Sequence, residues 1–122
     1  MAKILIVEDD LDLVETYTDL LELNHHRVTS VTRANEAISV MTRFRPDVVL
    51  LDLNLADYSG TIVVTMIRKV AFLRNTRIVV VTGHPEMILN TASSKQVDLI
   101  LNKPISNDRL LETVSHFAVQ ES

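Results

Sequence analysis

Four places in this sequence put reactive side chains directly behind a short apolar run. Glu8, Asp9 and Asp10 follow Ile4-Leu5-Ile6-Val7, and Asp52 follows Val48-Val49-Leu50-Leu51. Thr82 and Gly83 follow Ile78-Val79-Val80-Val81, and Lys103, with Pro104 behind it, comes just after Leu99-Ile100-Leu101. Three carboxylates gathered in one pocket repel one another and raise each other's pKa values. A divalent cation resolves that repulsion. Hard oxygen ligands in a chain without cysteine suit Mg2+, which keeps several waters and takes one or two carboxylates plus a phosphoryl oxygen. A lysine and a hydroxyl converging on the same point suit a phosphoryl group, whose charge must be neutralised and whose oxygens need donors. A central aspartate can then be the nucleophile and form an aspartyl phosphate.

That chemistry needs a frame that brings the four places together. The runs at 4–7, 48–51 and 78–81 are continuous and rich in β-branched residues, which is how a parallel strand buried on both faces reads. Val28 to Val31 and Leu99 to Leu101 complete a set of five. Between them the apolar period changes to about 3.6. Leu13, Val14, Tyr17, Leu20 and Leu21 share one helical face, as do Ala34, Ala37, Ile38 and Met41, then Val63, Met66, Ile67 and Val70. The last helix carries Leu110, Val114, Phe117 and Ala118, with Ser106 placed to cap it. The segment Glu86 to Ser93 is weaker, and Pro85 is placed to start a fourth helix there. Five β–α units predict a doubly wound α/β fold. Right-handed crossovers then put every loop that follows a strand on one edge of the sheet, which is where such folds bind ligands. Glu8, Asp9, Asp52, Thr82 and Lys103 are all expected at that edge.

Composition removes several other readings. The chain has 122 residues, the size of one domain, and a single unit over 1–122 is expected. The absence of cysteine excludes a disulfide framework, a thiolate zinc site and a cysteine nucleophile. Sixteen acids against twelve bases give a formal charge of −4, a poor basis for binding nucleic acid. The apolar runs fall far short of the roughly 18–20 residues of a membrane span. With no basic-then-apolar leader at Met1, the expected location is the cytoplasm. Two glycines, Gly60 and Gly83, cannot build a dinucleotide-binding turn or a P-loop.

The motifs at 4–10, 46–60, 81–83 and 103–104, in this order and spacing, resemble the receiver domain of two-component response regulators nearly end to end. The resemblance implies a flavodoxin-like five-stranded parallel sheet of strand order 2-1-3-4-5 with helices on both faces. It implies that Asp52 is the phosphoacceptor and that Thr82 and Lys103 grip the phosphoryl oxygens. Mg2+ would be held by Glu8, Asp9, Asp52 and the backbone carbonyl of Asn54, with Asp9 the better direct ligand of the acidic pair. The Lys103–Pro104 bond would be cis. A histidine kinase or a histidine phosphotransfer protein would donate the phosphoryl group, and an effector, fused or separate, would read the result. A homodimer through the face of the fourth helix, fifth strand and last helix also belongs to that pattern. The domain would catalyse its own modification and slow dephosphorylation without turning over an external substrate. The sequence departs from the family at Ala56, where a proline is usual, at Lys95-Gln96-Val97, where a small glycine-containing turn is usual, and at Ile100, where an aromatic is usual.

Several of these residues also admit plainer roles. Acids at a helix start complement the helix dipole, and Asp10 fits that role without any catalytic one. An aspartate-nucleophile phosphatase generally carries a second aspartate two residues on; here that place is Asn54. Asn54 and His84 lie two residues beyond Asp52 and Thr82, positions that border the site in receivers, so the resemblance implies that both are modulators. His25-His26 are adjacent rather than i, i+4, so they read as a loop and not as metal ligands. Met41, Met66 and Met87 read as core filling, and only Val119 to Ser122 follow the last helix.

Overall fold

The computed structural model describes residues 1–119, so Gln120 to Ser122 of the expected tail lie outside the described residues. Five strands form one parallel sheet: β1 (Lys3–Val7), β2 (Arg27–Val31), β3 (Val48–Leu51), β4 (Arg77–Thr82) and β5 (Leu99–Asn102). Their order is β2-β1-β3-β4-β5, the doubly wound order the resemblance implies. Four α-helices are seen among the described residues: α1 (Leu11–Leu23), α2 (Ala34–Phe44), α3 (Gly60–Lys69) and α4 (Asn107–Val119).

The continuous apolar strands divide their side chains between two cores, as alternation along a strand requires. Leu5, Val7, Val49, Leu51, Ile78 and Val80 pack against Ala37 and Met41 of α2 and Val63 and Ile67 of α3. Ile4, Ile6, Leu50, Val79 and Val81 pack on the other face against Tyr17 and Leu21 of α1 and Leu110, Val114 and Phe117 of α4. The helices thus cover both faces, and the ends of β1, β3, β4 and β5 lie side by side. Register carries this through: Val7 pairs with Leu51, Leu51 with Val80, and Thr82 with Asn102.

The structure corrects the sequence reading in two places. The fourth helix expected from Pro85 onward is not an α-helix. Its place holds two 3-10 turns, Pro85–Met87 and Ala92–Gln96. Only Ile88 in this stretch is fully buried, so no apolar stripe exists to hold a helix against the sheet. Local polar groups favour the alternative: Thr91 Oγ1 donates to the Ile88 carbonyl, Ser94 Oγ donates to the Thr91 carbonyl at 2.7 Å, and Asn90 adopts φ 65°. The second correction concerns methionines. Met41 is buried, but Met66 and Met87 are 42% and 37% exposed. Met66 lies one position off the buried Val63–Ile67 line of α3 and faces outward beside Ile62 and Tyr58.

Candidate functional site

Backbone hydrogen bonds prolong the sheet by one residue at its carboxyl edge. The Glu8 amide donates to the Val31 carbonyl, Asp52 to Val7 and Lys103 to Thr82, at 3.1, 2.9 and 2.8 Å. Each reactive residue is therefore anchored to the strand beside the one it follows. Glu8 and Asp52 are buried, at 3% and 7% exposure, although both are acids; Asp9 is exposed beside them. Burial of acids on this scale requires compensation.

Lys103 supplies part of it. Its ammonium donates to Glu8 Oε1 and, at 3.3 Å, to Asp52 Oδ2. Burial raises the pKa of the Glu8 carboxyl, opposed by the hydrogen bond from Lys103. Burial works to lower that of Lys103, but its hydrogen bond and charge contact with Glu8, together with Asp52, outweigh this and raise it. Lys103 is held in its charged form by the acids it faces.

One ligand oxygen each from Glu8, Asp9 and Asp52 lies within 4.8 Å of the others. That spacing is small enough for one cation to reach, and three carboxyl groups facing one ammonium leave a divalent charge to be accommodated. An all-oxygen, partly exposed set fits Mg2+, which keeps water in its shell. Asp10 is no part of this set. Its carboxylate caps α1 by accepting from the amides of Asp12 and Leu13, as the sequence indicated.

The loop after β3 forms a closed ring. Asn54 bridges Ser59 in antiparallel fashion, and the Gly60 amide donates to the Leu53 carbonyl at 2.8 Å. Leu53 and Leu55 are buried and Asn54 between them is exposed, with its amide donating to Asp52 Oδ1 at 3.3 Å. Ser59 caps α3 by accepting from the Thr61 amide. Gly60 starts that helix where a side chain would meet the backbone of Asp52.

Thr82 ends β4 at the same edge, fully buried, with its hydroxyl accepting from the His84 amide at 3.0 Å. The Lys103–Pro104 bond is cis. The structure thus gathers Glu8, Asp9, Asp52 and Lys103 directly and sets Thr82 and Asn54 on the adjoining strand end and loop. His84 stands in an exposed contact with Glu86. The His25-His26 pair lies in the loop before β2, where His26 Nδ1 accepts from the Ala2 amide. Ser106 Oγ accepts from the Arg109 amide, supporting the expected cap of α4.

Two residues near the site escaped the sequence reading. Tyr17, read only as an apolar position, lines the space beneath Glu8 and Asp52 together with Leu50 and Val81. Its phenol is pushed up by burial, in the fields of Lys103, Glu8 and Asp52. A polar-tipped ring two turns into a helix that starts at the site was the available signal. Asp57 is, by its type and its place after β3, a turn residue. Its carboxylate instead accepts from the amides of Ala34 and Asn35, at 2.8 and 3.0 Å, the first two residues of α2. No sequence signal joins residues that far apart.

Comparison with known proteins agrees with this geometry. The family model of the response regulator receiver domain matches residues 4–115. The polar-differentiation response regulator DivK of Brucella anthropi is 27% identical over 120 residues, covering 94% of each chain. The transcriptional regulatory protein KdpE of Staphylococcus aureus is 30% identical over 109 residues, which are 89% of this chain but 46% of that protein. The crystal structure of the response regulator TrrA from Thermotoga maritima, in complex with Mg2+ and BeF, superposes with a TM-score of 0.85 at 25% identity, over 96% of this chain and 99% of that one. With its parallel sheet in 2-1-3-4-5 order and its acids and lysine at the carboxyl edge, the chain belongs to the response regulator receiver domain family of two-component signalling.

Proposed function

We propose that Asp52 takes a phosphoryl group from a phosphohistidine and that this switches the interactions of the chain. The observation that carries the reading is the meeting of Glu8, Asp9 and Asp52 within 4.8 Å, with the Lys103 ammonium bonded to two of them. An Asp52 carboxylate oxygen forms the O–P bond while the donor's P–N bond breaks and the imidazole leaves. Lys103, already charged and aimed at Asp52, neutralises the incoming phosphoryl oxygens. The Thr82 hydroxyl, now accepting from His84, has its own proton to donate to them. Mg2+, when bound by Glu8, Asp9, Asp52 and the Asn54 carbonyl, would offset the charge that phosphoryl transfer concentrates there.

Residues 1–122 are read as one receiver unit, a signalling switch with slow self-dephosphorylation and no external turnover. The donor is a sensor histidine kinase or a histidine phosphotransfer protein, and the location is the cytoplasm. No helix among the described residues is long and apolar enough to cross a membrane. The output partner is an effector, fused or separate, or a second copy meeting the face of residues 85–96, β5 and α4. Incubation with a small acyl phosphate and Mg2+ should add one acid-stable, base-labile phosphoryl group. It should be absent in Asp52→Asn and without Mg2+. Labelling that persists in either case overturns the assignment.

A further inference from the structure

The ring of residues 53–59 is closed at its base by the Asn54–Ser59 bridge and the Gly60–Leu53 hydrogen bond. Its tip is held by something outside it. Arg33, the residue before α2, makes no side-chain capping bond, so the first amides of α2 lack the usual partner. Asp57 takes that role from across the fold: Oδ1 accepts from Ala34 and from Tyr58, and Oδ2 accepts from Asn35. A negative carboxylate at this place also faces the positive end of the helix. Desolvation pushes the Asp57 carboxyl up, and the amides of Asn35, Ala34 and Tyr58 together outweigh it and hold it below the usual aspartate value. The carboxylate therefore ties the loop that carries Asn54 to a helix core packed under it through Ala34 and Ala37.

We propose that Asp57 is a positioning residue for the metal side of the site: by clamping the loop tip to α2, it holds the Asn54 carbonyl where a cation over Glu8, Asp9 and Asp52 can use it. This rests on the reading that those groups hold Mg2+. The carbonyl of Asn54 has no side chain to steer it. Its direction is set by the ring, which is closed at its base by the Asn54–Ser59 bridge and tied to α2 at its tip through Asp57. Groups that orient metal ligands from behind typically change affinity by about 10–100-fold when removed. An ordinary helix cap would change stability and leave affinity alone.

The test is Mg2+ titration by calorimetry, on the metal-free chain well below its melting temperature, for the wild type, Asp57→Ala and Asp57→Asn. Asp57→Ala should raise the Mg2+ dissociation constant about tenfold. Asp57→Asn keeps one acceptor oxygen, enough for Ala34 and Tyr58 but not Asn35, and should fall between. By reciprocity, saturating Mg2+ should slow hydrogen exchange at the Ala34 and Asn35 amides of the wild type by up to the same factor. Both effects together support the clamp. Unchanged Mg2+ affinity in Asp57→Ala, with a lowered melting temperature, overturns it and leaves Asp57 a cap alone. If Asp57→Ala does not fold, Asp57→Asn decides in the same way. If the wild type itself takes up no Mg2+, the metal reading falls and this inference with it, whereas normal wild-type binding with unaltered variants removes only the inference.

Discussion

Replacing Gly60 by alanine tests whether the start of α3 and the end of β3 share one tight contact. A Cβ at position 60 would lie 2.5 Å from the Asp52 carbonyl oxygen and 2.8 Å from the Leu53 Cα, against 3.4 Å for ordinary contact. The larger shortfall, 3.4 less 2.5, is 0.9 Å. The opposing atoms are backbone, held by the Asp52–Val7 and Gly60–Leu53 hydrogen bonds, so no side-chain rotation relieves the clash. Overpacking of this kind costs roughly 1–3 kcal/mol, and rigid neighbours place it near the upper end. Removing a glycine returns about 0.4–1 kcal/mol through the unfolded chain. The net loss is about 2 kcal/mol, equivalent to a melting temperature lower by about 8 °C for a chain of this length. Because the displaced atoms belong to Asp52 itself, its phosphorylation should slow by about ten- to hundredfold, as misplacement near 1 Å does elsewhere. Gly83→Ala is the control: nothing lies within 4 Å of its added Cβ, and its φ is not in the left-handed region. It should melt at or slightly above the wild type. Thermal melts followed by circular dichroism and a phosphorylation time course decide the matter. A Gly60→Ala protein that melts with the wild type and is phosphorylated at the same rate refutes the reasoning.

Further outcomes follow from the same geometry. Asp9→Asn removes one of three mutually repelling carboxylates and should raise metal-free stability by up to about 1 kcal/mol; melts with and without Mg2+ should also show that the metal's stabilisation is gone. Lys103→Met leaves Glu8 and Asp52 buried without their cation and should cost about 3 kcal/mol at neutral pH. Because the folded pKa of Glu8 is raised, that deficit should shrink as pH falls and Glu8 takes a proton, while a deficit that is flat with pH contradicts the pairing. Ile100 is half-buried, packs against the core on the α2–α3 side, and as a β-branched residue has few rotamers. Ile100→Val should therefore leave the coupling between phosphorylation and partner affinity, typically about 1–3 kcal/mol, nearly intact. Thr82→Ala should remove most of it, and the reverse result in a binding assay makes Ile100 the switch.

Much of this protein was legible in its sequence because the features concerned are local. A strand buried on both faces must be apolar at every position, so Ile4 to Val7, Val48 to Leu51 and Ile78 to Val81 announce themselves. A polar residue ending such a run, like Asp52 or Lys103, stands out against it. Handed crossovers then bring the run ends to one edge, which is why the sequence alone puts Glu8, Asp9, Asp52 and Lys103 together. What depended on tertiary structure is of another kind. Pro85 and the residues after it carry turn and helix signals of similar strength. Only the single buried anchor Ile88 and the hydroxyls of Thr91 and Ser94, bonded to nearby carbonyls, decide for 3-10 turns. Gly60 and Gly83 are the same residue type, and only the approach of α3 to the Asp52 backbone makes one irreplaceable. Met66 matches the helical period as well as Ile67 does, yet faces outward because α3 buries a narrower stripe. Asp57 meets the amides of a helix that begins more than twenty residues earlier. Period and propensity describe what each segment does with its own neighbours in the chain; which distant segment arrives to complete a cap, crowd a glycine or leave a methionine bare is settled only when the two cores pack.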